Sequence, residues 1–194
     1  MKRRVGLFGG SFDPPHNAHL ALACSAVQAL ALDELRWIPA GQPWQKRRAM
    51  TPAAQREAMV ELAIEGQPGQ RLERIELERS GPSVTLDTVQ ALREREPGTE
   101  WLLLIGADQY ANLHTWRGWE RLLALATLAV AQRPGEHPAP DAAVLRHPHR
   151  VVPLPMLDIS STDIRARAAR GARIDTLVPP AVARYIEQHH LYKD

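Results

Sequence analysis

Apolar residues along this chain fall into short runs of two kinds, separated by polar stretches marked with glycine and proline. Residues 5–8 (VGLF) are a continuous run of strand length, whereas residues 19–32 stay apolar over the length of a helix. A second short strand is predicted at 35–38, stopped by Pro39. After a polar loop over 41–50, Thr51 suits a helix N-cap and Pro52 a first helical residue, with Met59, Leu62 and Ala63 as an apolar stripe up to residue 64. Leu72, Ile75 and Leu77 alternate with charges, which predicts a half-exposed strand. Ser83 or Thr85 opens a further helix ending at Pro97-Gly98, and residues 101–105 (WLLLI) are apolar without interruption, as a central parallel strand requires. Residues 122–125 read as helix, 128–131 as strand and 133–150 as a Pro- and His-rich loop with one short helix. A final strand is expected at 151–155, with helices at 161–170 and 179–189.

Strand and helix thus alternate, which predicts an α/β fold: a Rossmann-like, doubly wound parallel sheet covered by helices on both faces. No repeat and no polar linker interrupts the chain, so residues 1–194 read as one domain, with a C-terminal helical part from about residue 160. Its 44% hydrophobic content is enough for a full core. In such sheets ligands bind beyond the carboxyl ends of the strands, at the point where strand order reverses. The segments predicted there are 9–13, 39–46, 106–108 and Arg133.

Charge changes this picture only by exclusion. The 24 basic and 22 acidic residues leave a formal charge of +2, without the footprint of a nucleic-acid binder. Lysine appears only as Lys2, Lys46 and Lys193, the other basic residues being arginine, a bias we attribute first to genome composition. The single cysteine, Cys24, excludes an internal disulfide and is expected as a buried apolar thiol. No apolar run approaches the ~20 residues of a membrane span, and residues 1–4 lead into the first strand without a signal-peptide core, so a cytoplasmic protein is expected.

Candidate chemistry concentrates in residues 9–20, GGSFDPPHNAHL. Gly9 and Gly10 let backbone N–H groups approach an anion closely. A helix starting near His16 directs its N-terminal N–H groups to the same place. His16 and His19, at i and i+3, share one helix face and both reach a single phosphate. The run is neither G-x-G-x-x-G nor a Walker A loop. Towards the other end, residues 159–165 (ISSTDIR) place Ser160, Ser161 and Thr162 at a helix start with Arg165 one turn in. Ser161 reads as an ordinary N-cap, or the group together holds a polyphosphate. Gly106-Ala107-Asp108 follows the 101–105 strand, where Asp108 either caps the next helix or accepts from a ribose diol. Trp116 and Trp119 read as core residues, or one of them as a stacking platform. His147, His149, His189 and His190 match no metal spacing and read as surface.

In order and spacing, residues 9–20, 106–108, 114–116, 133–135 and 159–165 resemble the nucleotidyltransferase superfamily with HxGH-type and ISSTxIR-type motifs, and within it the bacterial nicotinate-nucleotide adenylyltransferases. The resemblance covers nearly the full length. It implies transfer of AMP from ATP to nicotinate mononucleotide, with His16 and His19 stabilising charge as pyrophosphate leaves and Mg²⁺ held mainly by the ATP phosphates. It further implies ATP and phosphate contacts from Gly9, Gly10, Ser11, Phe12, Lys46, Gly106, Asp108, Arg133, Ser160, Ser161, Thr162 and Arg165. Thr85, Trp116 and Arg117 would bind the nicotinate nucleotide, Trp116 by stacking. This chain departs from the pattern with Ala18 for the usual glycine, Gln45 for a common histidine, and Val84 and Arg117 where aromatics are common. The same chemistry on nicotinamide mononucleotide or phosphopantetheine, and a non-catalytic nucleotide-binding module, are the alternatives. A homo-oligomer is compatible with either; no membrane or nucleic-acid partner is expected.

Overall fold

The computed structural model describes residues 2–42, 50–132, 135, 138–154 and 157–193. The first apolar run forms β1 (Arg4–Gly10), followed by α1 (Asn17–Ala29) and β2 (Glu34–Pro39). Then come α2 (Ala53–Ile64), the short β3 (Gln70–Leu72), α3 (Ile75–Glu78) and α4 (Thr85–Arg95). The second half runs β4 (Glu100–Gly106), α5 (Ala107–Ala111), a 3-10 turn (Leu113–Thr115), α6 (Trp119–Leu125) and β5 (Thr127–Gln132). It ends with α7 (Ala142–Leu145), β6 (His149–Pro153), α8 (Ser161–Ala169) and α9 (Pro180–Gln188).

The six strands make one parallel sheet in the order β3-β2-β1-β4-β5-β6. The order reverses between β1 and β4, which puts the switch point at Gly9, Gly10 and Gly106. Alternate residues of each strand face opposite layers. Val5, Leu7, Trp101, Leu103 and Ile105 pack with Val89, Leu92 and Leu122 from α4 and α6. Phe8, Trp37, Leu102 and Leu104 pack with Leu22, Ala23 and Ala26 of α1 and Val60 of α2. A third cluster lies off the sheet, where Met59 and Ala63 of α2 meet Ile164, Ala168, Val178, Val182, Ile186 and Leu191. Among the described residues no helix is long and apolar enough to cross a membrane.

Four expectations are corrected locally. Ile75 and Leu77 lie in helix α3, not in a strand: β3 pairs only with Leu35–Trp37, and the chain then turns, with Glu73 Oε1 accepting from the Ile75 N–H at 3.2 Å. Thr51 does not cap α2; Pro52 holds the N-cap position without a side-chain bond. The last strand starts at His149 rather than at residue 151. Cys24 is half-buried among polar partners, its sulfur 3.5 Å from Gln70 Nε2 and 3.9 Å from Gln67 Oε1.

Candidate active site

The loop from Ser11 to His16 leaves the carboxyl end of β1 and turns into α1, with His16 as N-cap residue. The expected pairing of imidazoles is realised as a stack: the rings of His16 and His19 lie 3.6 Å apart between centroids, tilted by 25°. The His16 backbone N–H donates to His19 Nδ1 at 3.2 Å. A neutral ring accepting at Nδ1 carries its proton on Nε2, so His19 is set as an Nε2 donor. Phe12 meets His19 edge-on at 5.2 Å. Burial holds the His16 pKa at about 4. Burial and then the neighbouring His16 hold His19 well below the usual histidine range. Both rings are therefore neutral near neutrality.

The expectation of free N–H groups at this helix start is only partly met. The His16 N–H is taken by His19, and the Asn17 N–H donates to Leu177 O at 2.9 Å. Phe12 is also not available as a side-chain ligand: its ring is 1% exposed and packs on Phe8 and Trp37. A Cβ at Gly10 would strike that ring at 2.9 Å, whereas one at Gly9 would meet nothing within 4 Å. Of the pair, Gly9 alone borders open space.

The second motif is brought against this loop. Ser160 is the N-cap of α8, its Oγ accepting from the Asp163 N–H at 3.1 Å, so the cap is Ser160 and not Ser161. Ser161 instead donates to Pro14 O at 3.0 Å. Arg165 donates to Asp13 O at 2.8 Å and to Thr162 Oγ1 at 3.1 Å. Segments about 150 positions apart in sequence thus meet two or three residues before His16.

On the other side of the glycines lies a cleft lined by Gly9, Gly10, Ser11, Thr85, Trp116 and Arg117 among others. Trp116 follows the 3-10 turn, half-buried against the α4 and α6 layer. Gly118 takes a left-handed backbone (φ 67), and a Cβ there would meet Leu86 Cδ2 at 2.5 Å; glycine is what lets this turn close. Glu76 and Thr88 line the cleft floor. The Thr88 hydroxyl donates to Glu76 Oε1 at 2.8 Å and accepts from Arg79 Nη2 at 3.1 Å. Gly106 ends β4 as expected, and Asp108 sits exposed in the first turn of α5, whose N-cap is Gly106. Lys46, Gln45 and Arg133 lie outside the described residues.

Three contributors escaped the sequence reading. Arg56 is buried on α2 and donates to Ser11 O at 3.0 Å, Thr51 O at 2.9 Å and Gly41 O at 3.4 Å, tying the loop after β1 to both ends of the connection between β2 and α2. Its position three residues before Met59, on the buried face of α2, was the available signal. Asp13 is fully buried and accepts from Tyr192 Oη at 2.8 Å. Nothing in the local pattern around Tyr192 announces that bond. Among the described residues no group of three or more His, Cys, Asp or Glu could hold a metal ion.

The chain is similar to known proteins in sequence and in fold. The family described as cytidylyltransferase-like matches residues 7–167. A relative from Methylibium petroleiphilum, named "probable nicotinate-nucleotide adenylyltransferase", is 51% identical over 98% of this chain and 93% of its own length. One of the same name from Bordetella pertussis is 45% identical, covering 98% of each. Among solved structures, the Plasmodium falciparum nicotinic acid mononucleotide adenylyltransferase complexed with NaAD superposes with a TM-score of 0.79 at 22% identity, over 98% of this chain and 97% of that one. At that identity the likeness is one of fold.

Proposed function

The chain belongs to the cytidylyltransferase-like family and, within it, to the nicotinate-nucleotide adenylyltransferases, and from that premise we propose that it joins ATP to nicotinate mononucleotide in the cytoplasm. The observation that carries the reading is the one loop leaving β1 at the switch point, which bears the stacked histidines, receives the Ser160–Arg165 motif at Asp13 and Pro14, and borders the Trp116 cleft at Gly9, Gly10 and Ser11.

In the proposed step a phosphate oxygen of nicotinate mononucleotide attacks the α-phosphorus of ATP in line with the leaving group. The bond from the α-phosphorus to the bridging oxygen breaks, and pyrophosphate departs with the electron pair. The attacking group is already anionic, so no protein nucleophile is needed; catalysis rests on positioning and on charge stabilisation. His19, neutral with Nε2 protonated, donates to the phosphate oxygens on which charge builds, and His16 stacks beside it as its partner. Ser160, Ser161, Thr162 and Arg165 face the β- and γ-phosphates, and Gly106 and Asp108 the ribose. Gly9, Gly10 and Ser11 give backbone contacts. Lys46 and Arg133 keep the phosphate and adenosine roles that the resemblance implies. The described residues offer no cage for a metal ion, so magnesium would arrive on the triphosphate.

On the acceptor side, Trp116 stacks on the pyridine ring, with Thr85 and Arg117 toward its carboxylate. Arg117 lines the cleft and makes no hydrogen bond or ion pair among the described residues. A guanidinium at that place favours the acid over the amide.

The test is pyrophosphate release from ATP with nicotinate mononucleotide, nicotinamide mononucleotide or phosphopantetheine as acceptor. Release is expected to be fastest by a wide margin with the first. No release above ATP alone with that acceptor would refute the proposal, whatever the other two do.

A further inference from the structure

The loop bearing His16 is held in place largely from outside itself. Its backbone at Phe12 is left-handed (φ 46), a conformation that residues with a Cβ adopt only when their surroundings impose it. Asp13 follows, fully buried, with Oδ1 accepting from Tyr192 Oη at 2.8 Å and Oδ2 lying 3.5 Å from the Thr51 N–H. A buried carboxylate is acceptor-only, so where it points is decided by where its donors stand. Arg165 binds the carbonyl of the same residue.

Tyr192 is itself built into position. The Leu191 N–H donates to Ile186 O at 3.0 Å, and the Leu191 side chain joins the cluster of α2, α8 and α9. His190 (φ 50) and Tyr192 (φ 66) on either side take left-handed backbone, turning the chain back from α9 toward the loop. Burial, and then the Asp13 charge, push the Tyr192 phenol well above its usual range, so it remains a donor at every working pH. Between Asp13 and His16 stand only Pro14 and Pro15, both buried, whose rings fix φ. Movement at Asp13 is therefore passed on to His16 instead of being absorbed between them.

We infer that Tyr192 is a positioning residue for adenylyl transfer, holding the loop through the Asp13 carboxylate in the conformation that stacks His16 on His19. The inference rests on the proposed reaction, and the role of Tyr192 is one of orientation, exerted through its bond to Asp13.

The test compares Tyr192→Phe, Asp13→Asn and the double variant with the parent, using Tyr185→Phe as a control. Tyr185 of α9 packs on the same cluster as Tyr192, beside His189 at 4.1 Å between ring centroids, and its hydroxyl makes no hydrogen bond among the described residues. Loss of one hydrogen bond to a buried charge is expected to lower kcat about tenfold, with both KM values within twofold of the parent. The double variant is expected to be no slower than Asp13→Asn alone, because both changes break the same link. The imidazole NMR signals of His16 and His19 are expected to shift in Tyr192→Phe and to stay in place in Tyr185→Phe. A kcat within twofold of the parent in Tyr192→Phe overturns the inference, as do additive losses in the double variant or unmoved histidine signals. If the parent fails to turn over nicotinate mononucleotide, the proposed reaction falls, and the histidine signals alone decide whether Tyr192 orients the loop.

Discussion

Two neutral imidazoles packed face to face should make this protein lose stability on mild acidification, in a pH window separate from that of its carboxylates. His16 titrates at about 4 in the folded protein because burial disfavours its charged form. In the unfolded chain it titrates near 6.5. A histidine depressed in this way contributes stability that is complete above the unfolded value and is lost as pH falls toward the folded one. Linkage then gives a loss of about 2 kcal/mol between roughly pH 7 and pH 5, and about 3 kcal/mol by roughly pH 4. His19, lowered by burial and by His16, acts in the same direction. Glu96 is held below its usual range by Arg36 and, as a depressed acid, loses its contribution only at lower pH. Urea unfolding followed by tryptophan fluorescence, at several pH values from 7 to 5, supplies the measurement for the parent and for His16→Gln. Baseline contributions cancel in the difference between the two curves, even if the variant is less stable throughout. The parent should fall more steeply by about 2 kcal/mol over that interval. Parallel curves would mean that His16 is not a buried neutral ring, and the donor assignment built on the stack would go with it.

Three further outcomes follow from the site. His19→Ala removes the Nε2 donor and should cut kcat by about a hundredfold or more, read by pyrophosphate release; near-normal turnover would refute the role given to His19. Trp116→Ala should raise KM for nicotinate mononucleotide by about tenfold while leaving that for ATP within twofold, since base–aromatic stacking contributes on the order of 1–3 kcal/mol; equal effects on both substrates would place the ring elsewhere. A Cβ at Gly41 would collide with the Glu76 carbonyl oxygen. Gly41→Ala should therefore cost about 1–3 kcal/mol in urea unfolding, and an unchanged midpoint would show that the α3 turn yields freely.

The sheet and the two motifs to which the proposed phosphate contacts are assigned were legible because each is written in neighbouring residues. WLLLI has no polar position and therefore has to lie where both faces are covered, as β4 does. The glycine pair and the two histidines sit within one strand–loop–helix, so their convergence is a local matter. Reading failed where a distant partner decides. Ile75 and Leu77 alternate like a strand, yet β3 ends at Leu72 and the Ile75 N–H goes to the Glu73 side chain instead of to a neighbouring strand, with helix α3 following. Ser161 looked like the cap of α8, but its hydroxyl donates to Pro14 and Ser160 caps instead. Arg56 and Asp13 resemble ordinary surface charges in sequence; only the packed structure shows both buried and engaged with loop backbone or with Tyr192.

Three of the contacts that hold the histidine loop reach it across 147, 152 and 179 positions of chain, each from the helical cluster beyond β6. That cluster packs on α2 and shares little with the two layers covering the sheet. Such a small unit opens at lower cost than the sheet as a whole. On heating, activity should accordingly vanish together with an early, partial loss of helical circular dichroism from α8 and α9, several degrees before the sheet melts, with recovery on cooling. The enzyme would carry its own thermal cut-out, a switch seated in the clamp and not in the chemistry.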